Sequence, residues 1–279
     1  MPGTILLGID VETANESSAT YAQRGPEMLS AEGIRATWYV TGKTMDRYPD
    51  LFRQADRSGP VDLQSHTYDH ILLKTVLTEI PAGRTVCDTP GPGFFMKRGG
   101  TNEEIDADLA RCQKVFRDVL GRPARGLCGP WNYYRGLGDR PDLLEIVHRH
   151  GFRILRMGGR NEKDALPVPM EWQPYFYDVQ GFPDVLELLV NDYQDDYQYV
   201  EFNGLVDAST YPGHLREIAD RVAKKDLVWG LCTHDHNCAT PEAFQAKTSW
   251  LPGLIRYAKS VGIRFLTATE YYEQRLRGR

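Results

Sequence analysis

Acidic and histidine side chains follow several apolar stretches of this sequence. Residues 5–9 form the first such stretch and are followed by Asp10 and Glu12, two carboxylates two positions apart. In a continuing strand these positions face the same side. Two acids in one site push their pKa values apart, which suits one for metal ligation and the other for proton transfer. An exposed acidic loop is the simpler interpretation of this pair taken alone.

His66 and His70 lie four residues apart in the segment Ser65–His70, SHTYDH. On a helical turn this spacing puts both imidazoles on one face, which is a common way to offer two ligands to a divalent metal. A surface turn with two satisfied histidines is an equal alternative for the pair alone.

Two further segments offer a general acid and an aromatic surface for a substrate. Leu231–His236, LCTHDH, ends an apolar stretch, and a histidine there can serve as a general acid because imidazole titrates near neutrality. The pattern does not decide between His234 and His236. Gly129–Tyr134, GPWNYY, predicts a rigid aromatic loop on which a sugar can stack; plain structural packing is the alternative.

Apolar stretches alternate with amphipathic segments along the whole chain. The predicted strands are residues 5–9, 36–40, 61–66, 125–131, 152–157, 227–233 and 264–266, and the predicted helices are residues 26–32, 49–58, 101–120, 141–149, 213–223, 240 onward, 250–261 and the C-terminal segment. A capping-box pattern, Thr101 with Glu104, marks the start of one helix. The alternation predicts an α/β fold, a (β/α) barrel with six to seven parallel strands. Because strand ends meet at one mouth of a barrel, the four segments are expected to share one site.

Charge, apolar stretches and cysteine content argue against several classes of protein. The net charge is -5 and the basic residues are scattered, which argues against a nucleic-acid partner or attachment to anionic lipid. The sequence has neither an apolar stretch of about 20 residues nor a signal-like N-terminus, so we expect a cytoplasmic protein without a membrane span. The cysteine count is odd, at five, with no Cys-x-x-Cys, which predicts reduced, mostly buried thiols rather than zinc ligands.

Two expectations concern organisation. Residues 1–279 are expected to form a single domain, with residues 71–100 a Gly/Pro-rich insertion near the site. The acidic tract 191–197, NDYQDDY, is interpreted as a solvated loop; a substrate-facing rim and a subunit contact in a homo-oligomer are the alternatives.

The order of these motifs resembles that of the polysaccharide deacetylase superfamily, also called the NodB-homology or carbohydrate-esterase-family-four group. The resemblance covers residues 5–266 and is most specific in Ser65–His70. It implies a distorted (β/α) barrel and metal-dependent hydrolysis of a non-peptide C–N amide bond. The implied reaction is deacetylation or deformylation of an N-acylated sugar, or of a related small-molecule or glycan substrate. The implied metal is zinc, with cobalt, nickel or iron as alternatives.

The resemblance also implies roles for individual residues. By position, His66 and His70 are metal ligands and His234 is the acid that protonates the leaving amine. Pro130 and Trp131 bind substrate, with the Trp131 N–H holding the oxyanion, and Leu231 lines the pocket for the acyl group.

The chain departs from the family's usual pattern at two places. Asp10-Val11-Glu12 replaces adjacent aspartates, which is similar to the branch that includes aminoarabinose-lipid deformylases. By analogy Asp10 is the base and Glu12 the third metal ligand, although the roles can be exchanged. Cys128 stands where the third motif usually has an arginine that orients the catalytic acid. This second departure leaves open an allantoinase-like small-amide hydrolase and a non-catalytic carbohydrate-binding relative.

Overall fold

Strands and helices alternate along the chain in the computed structural model, which describes residues 2–80, 93–164, 168–191 and 209–279. The strands are β1 (Thr4–Val11), β2 (Ala36–Val40), β3 (Val61–Ser65), β4 (Val76–Ile80), β5 (Gly93–Lys97), β6 (Gly126–Tyr134), β7 (Ile154–Arg160), β8 (Tyr175–Tyr177), β9 (Phe182–Leu189), β10 (Val228–His234) and β11 (Arg264–Phe265). The helices are α1 (Glu16–Ala31), α2 (Gly42–Arg47), α3 (Pro49–Ser58), α4 (Asn102–Leu120), α5 (Pro141–Arg149), α6 (Tyr211–Lys225), α7 (Pro241–Thr248), α8 (Trp250–Ser260) and α9 (Ala268–Arg277).

Seven strands run parallel in the order β10-β1-β2-β3-β6-β7-β9. Strand β11 also pairs with β1, and β8 adds an antiparallel edge to β9. The two ends of this order approach each other where Gly230 N–H donates to Asn191 Oδ1 and Asn191 N–H donates to Gly230 O, both at 3.2 Å. The predicted α/β fold with a mostly parallel sheet is confirmed; with β11, the described residues form eight parallel strands, one more than the six to seven predicted.

Side-chain alternation along the parallel strands separates two apolar layers. Ile5, Leu7 and Ile9 of β1 belong to the large core that the strands share with the surrounding helices. Leu6 faces the other side and joins a smaller cluster with Tyr271 of α9. This second cluster fills the inner side of the sheet near the beginnings of the strands. Polar groups are therefore left for the opposite, carboxyl ends.

Helix α1 begins at Glu16, so the prediction that it starts at Pro26 is wrong. The side chain of Asn15 caps the helix by accepting a hydrogen bond from Ser17 N–H at 2.8 Å. Pro26 lies inside the helix and is buried. Gly25 beside it lets the helix approach β2 closely, because a Cβ there would lie 2.5 Å from Trp38 Cζ2. Proline usually interrupts a helix, and here tertiary packing overrides that preference.

The capping box of α4 is present as predicted. Thr101 Oγ1 accepts from Glu104 N–H, and the Glu104 carboxylate accepts from Thr101 N–H at 2.8 Å. Gly121 closes the helix in the left-handed conformation at φ 71°. The helix matters for the site because its Asp108 holds the loop that carries His66 and His70.

The 71–100 segment contains an antiparallel hairpin, β4 with β5. One face of this hairpin lies against the aromatic loop: the Phe95 and Trp131 ring centroids are 6.4 Å apart, and Lys97 Nζ lies 4.5 Å from the Trp131 centroid. Residues 81–92, with Cys87, lie outside the described residues, as does the acidic tract beyond Asn191.

The four cysteines in the described ranges, Cys112, Cys128, Cys232 and Cys238, are free and buried. None of the helices in those ranges has the length and apolar character that a membrane crossing would require.

Candidate active site

Strand β1 brings both acids to the same place. Asp10 lies opposite Tyr39 of β2 and His234 of β10 in the sheet register, and Glu12 follows the strand's last residue. Oδ2 of Asp10 and Oε2 of Glu12 both face Nε2 of His66, at 3.8 Å and 2.8 Å. The two-residue period of a strand accounts for this shared direction.

His66 and His70 reach Glu12 from a loop. Their Nε2 atoms lie 2.8 Å and 3.0 Å from Glu12 Oε2, and their ring centroids are 4.9 Å apart. The predicted helical turn is wrong, because Thr67 and His70 both adopt left-handed backbone angles, φ 62° and 59°. A left-handed residue at each position bends the chain so that both rings point to one carboxylate.

Asp108 of α4 explains why this loop is not helical. Its two carboxylate oxygens accept the N–H groups of Tyr68 at 2.7 Å and Asp69 at 2.9 Å. Burial raises the pKa of Asp108, although these two backbone hydrogen bonds act in the opposite direction. A capping carboxylate from a distant helix therefore fixes the loop conformation.

The donor set of Glu12, His66 and His70 fits a divalent metal. Nδ1 of His66 lies 3.1 Å from the Cys128 carbonyl oxygen; a carbonyl only accepts, so Nδ1 carries the proton and Nε2 is the ligand atom. The three ligand atoms lie within 4.8 Å of one another. Histidine–carboxylate contacts as short as these need a positive charge between them, either a proton or a metal cation.

The pKa of Glu12 reflects this concentration of cationic partners. Burial opposes ionisation, but the charge of His70 and hydrogen bonds from three histidines hold the pKa of Glu12 well below its usual range. The third of these histidines is His236, whose Nε2 lies 2.9 Å from Glu12 Oε1. Sequence reasoning left open whether His234 or His236 points inward, and both do.

His234 faces the other acid. Its Nε2 lies 3.7 Å from Asp10 Oδ2, and its ring centroid is 4.9 Å from that of His236. Burial lowers the pKa of His234 to about 3, although the charges of Glu12 and Asp10 act in the opposite direction. Its imidazole is therefore neutral at pH 7.

Asp10 has a buried cationic partner that sequence reasoning missed. Arg156 of β7 donates from Nη2 to Asp10 Oδ1. The same nitrogen lies 2.9 Å from Cys128 Sγ. An arginine inside the strand ILRMGGR was the available signal, since a charge in a buried strand needs a partner.

Asp235 supports the backbone beneath Glu12. This fully buried carboxylate accepts the N–H groups of Glu12 and Thr13, both at 3.3 Å, and hydroxyl hydrogen bonds from Thr13 and Ser18. Burial raises the pKa of Asp235, and the Ser18 hydrogen bond opposes this. Asp235 was part of the quoted histidine segment, but its role depends on contacts that only the fold reveals.

The aromatic loop has an unusual backbone. Trp131 and Asn132 are both left-handed, φ 68° and 52°, and they interrupt the β6–β7 register. Arg160 Nε donates to the carbonyl oxygens of both residues, at 2.8 Å and 3.2 Å. Trp131 is half-buried and Pro130 is buried. Tyr133 is fully buried, so its ring has no face open to a ligand.

Leu231 is not brought to the site. It is fully buried in the large core between the sheet and the helices. Its neighbour Cys232 faces the acids instead, with Sγ 3.8 Å from Asp10 Oδ2. Cys232 and His234 are two residues apart on β10 and share a face, so Leu231 must face the other way. The predicted pocket-lining role of Leu231 is therefore wrong.

A cavity of about 380 Å³ opens beside Glu12 and His70. Lys43 and Arg47 of α2 line it together with Asp69. Asp69 faces Arg111 at 3.4 Å. For Lys43 and Arg47, no carboxylate partner is found in the part of the chain that the structure describes. The cavity therefore presents two cations next to the candidate metal ligands.

Comparison with known proteins places this chain in a family. The sequence profile of the polysaccharide deacetylase family matches residues 4–154, which is more than half of the chain. The chain therefore belongs to the polysaccharide deacetylase family. The match includes Asp10, Glu12, His66 and His70. A search of curated protein sequences found no match.

Solved structures with a similar fold cover nearly the whole chain. A structure described as a polysaccharide deacetylase from Mycobacterium smegmatis has a TM-score of 0.67 and 16% identity, covering 98% of this chain and 91% of the other. Puue allantoinase has a TM-score of 0.66 and 14% identity, with 97% and 89% coverage. A structure described as a polysaccharide deacetylase from Pseudomonas aeruginosa PAO1 has a TM-score of 0.64 and 13% identity, with the same coverage. At these identities the similarity shows the fold.

Proposed function

We propose that this protein is a metal-dependent amidohydrolase that removes an acetyl or formyl group from the nitrogen of an N-acylated sugar. The observation that carries the proposal is the convergence of Glu12, His66 and His70 on one point. A second acid–histidine pair, Asp10 with His234, lies beside that point. One set of residues holds a metal, and the other moves protons.

Glu12, His66 and His70 are the proposed metal ligands, and zinc is the proposed metal, with cobalt, nickel and iron as alternatives. Two imidazoles and a carboxylate leave a coordination position open in a zinc site, as catalysis requires. When bound, a divalent cation supplies Lewis-acid chemistry: it polarises a carbonyl oxygen and makes water easier to deprotonate.

Asp10 is the proposed base because the other acid is occupied by three histidines. Its Oδ2 takes a proton from the water that attacks the carbonyl carbon. Nε2 of His234 lies 3.7 Å from this oxygen, so His234 is the proposed group that passes this proton on to the leaving nitrogen as the C–N bond breaks. Base and acid contributions of this kind are each worth about 100- to 10,000-fold in rate.

Trp131 supports a sugar as the substrate class. Its half-buried ring has Phe95, Lys97 and Arg160 as neighbours and is a partly exposed aromatic group near the carboxyl ends of the strands. Its left-handed backbone, fixed by Arg160, is the proposed source of an N–H donor to the developing oxyanion. Backbone conformations that cost energy often accompany function.

The variant His66→Ala tests the metal and the reaction together. We expect a loss of bound zinc by elemental analysis and a loss of acetate release from N-acetylglucosamine oligomers. His148→Ala is the matched control, because His148 of α5 pairs with Asp184 of β9 rather than with Asp10 or Glu12. A metal-free His66→Ala protein with full activity would refute the proposal.

Hydrolysis of a small cyclic or linear amide is the second candidate. The fold similarity to Puue allantoinase and the absence of an arginine at Cys128 favour it. Turnover of allantoin without acetate release from any N-acetylated oligomer would select this candidate. Glycan binding by calorimetry without hydrolysis under any divalent metal would instead select a non-catalytic carbohydrate-binding protein.

A further inference from the structure

Arg156 and Asp10 form an ion pair inside the sheet. Their side chains are 4% and 5% exposed, so neither charge is screened by solvent. Among the described residues, Nε and Nη1 of Arg156 have no hydrogen-bond partner. The guanidinium is therefore held through Nη2, which contacts Asp10 and Cys128.

Three neighbouring residues create the space that Arg156 fills. Cys128 lies directly opposite Arg156 in the β6–β7 register, and its short side chain leaves room for the guanidinium. Gly8 does the same from β1, because a Cβ there would lie 2.7 Å from Nη1. The ring of Tyr39 closes the third side, with its centroid 4.3 Å from the guanidinium carbon.

The ion pair divides the two oxygens of Asp10 between different partners. Oδ1 accepts from Arg156. Oδ2 is left facing His66 at 3.8 Å, His234 at 3.7 Å and the thiol of Cys232 at 3.8 Å. A carboxylate held by one oxygen cannot rotate freely, so Oδ2 stays directed at the metal ligands and the acid.

We infer that Arg156 is the positioning residue of this site: it fixes the rotation of the Asp10 carboxylate, and Cys128 and Gly8 are small because they accommodate it. This inference rests on the proposed function of Asp10. The family usually has an arginine at the position that Cys128 occupies on β6. In this protein Arg156 of β7 supplies the cation instead. Cys128, which replaces the family's usual arginine, thus makes room for the arginine that contacts Asp10.

The kinetic test compares Arg156→Met and Arg156→Lys with Arg153→Met. Arg153 pairs with Asp184 at 2.7 Å outside the site and serves as the control. We expect Arg156→Met to lower kcat by about 100-fold, the effect of misplacing a catalytic group by about 1 Å, with KM and zinc content near the wild-type values. Arg156→Lys, which keeps the charge, should recover part of kcat. Unchanged kcat in Arg156→Met would overturn the inference.

A second measurement does not depend on activity. In the metal-free protein, Arg156→Met should lower Tm by several degrees in the wild-type background, because it leaves a buried carboxylate unpaired. The same substitution in an Asp10→Asn background should lower Tm far less. Equal losses in both backgrounds would overturn the inference. If the wild-type protein hydrolyses no amide, the proposed function fails, and the Tm comparison still decides whether the two residues act as a pair.

Discussion

His236 contacts the oxygen of Glu12 that the other two histidines do not use: its Nε2 lies 2.9 Å from Oε1, whereas His66 and His70 face Oε2. If Glu12 holds a metal as proposed, this arrangement gives His236 the role of orienting that ligand. A carboxylate ligand that is hydrogen-bonded on its free oxygen presents the other oxygen in a fixed direction.

The variant His236→Ala should therefore keep the metal site but weaken it. We expect zinc affinity to fall by about 10- to 100-fold, the usual effect of losing a partner that orients a ligand. Competition with a chelator of known affinity measures this change. Complete loss of zinc, equal to that of His66→Ala, would mean that His236 is itself a ligand, contrary to the prediction.

The variant Asp10→Asn separates the roles of the two acids. It should retain zinc, since Asp10 Oδ2 lies 3.8 Å from His66 Nε2, whereas Glu12 Oε2 lies 2.8 Å and 3.0 Å from His66 and His70. It should lose about 100- to 10,000-fold in kcat because the base is gone. Zinc content and acetate release are measured on the same preparation. If Asp10→Asn lost zinc while Glu12→Gln kept it, the assigned roles would have to be exchanged.

The variant Lys43→Ala/Arg47→Ala examines charge selection by the cavity beside Glu12 and His70. Exposed ion pairs are worth up to about 1 kcal/mol, so KM for an N-acyl sugar that carries a carboxylate or phosphate should rise about fivefold. KM for the neutral sugar should not change. Lys114→Ala, on the exposed face of α4, is the matched control. A rise for both substrates alike would exclude charge selection.

The buried acid Glu187 should make the folded protein less stable as pH rises. Burial raises the pKa of Glu187 to about 7, although hydrogen bonds from Tyr177, Met157 N–H and Gly158 N–H oppose this. The pKa of Glu187 in the folded protein lies above the unfolded value of 4.5. Its stabilising contribution to the free energy of unfolding is therefore full below pH 4.5 and is lost as pH rises through 7.

The variant Glu187→Gln removes this titration. Across pH 4.5 to 8 the wild-type protein should lose about 3 kcal/mol more of its free energy of unfolding than Glu187→Gln, because one pKa unit corresponds to about 1.4 kcal/mol. Urea unfolding at several pH values measures the difference. Parallel pH curves for the two proteins would count against a raised pKa in the folded state.

The two-residue period of a strand was sufficient to predict the side-chain directions of site residues that lie on a single strand. The two-residue spacing of Asp10 and Glu12 placed both carboxylates on one side, and the strand-end positions of His66 and His234 placed them at one mouth. The same rule, applied to β10, would have rejected Leu231 in favour of Cys232, since His234 and Cys232 share a face.

Contacts between distant segments explain what periodicity missed. The left-handed loop of His66 and His70 depends on Asp108, which lies about 40 residues further along the chain. The pairing of Arg156 with Asp10 requires the β6–β7 register and the gap left by Gly8. Helix α1 continues through Pro26 because Gly25 packs against Trp38. Among these relationships only the arginine within the buried strand β7 had a local signature in the sequence, and that signature did not identify Asp10 as its partner.

The junction between β9 and β10 has a consequence for redesign. These strands meet through the side chain and backbone of Asn191 and through Gly230, rather than through a strand ladder in the described residues. A loop inserted at this junction would remove hydrogen bonds between Asn191 and Gly230, while the hydrogen bonds of the parallel strand pairs would remain. Redesign at this junction would therefore leave the β1–β10, β1–β2 and β2–β3 pairs, which position the candidate site residues, unchanged.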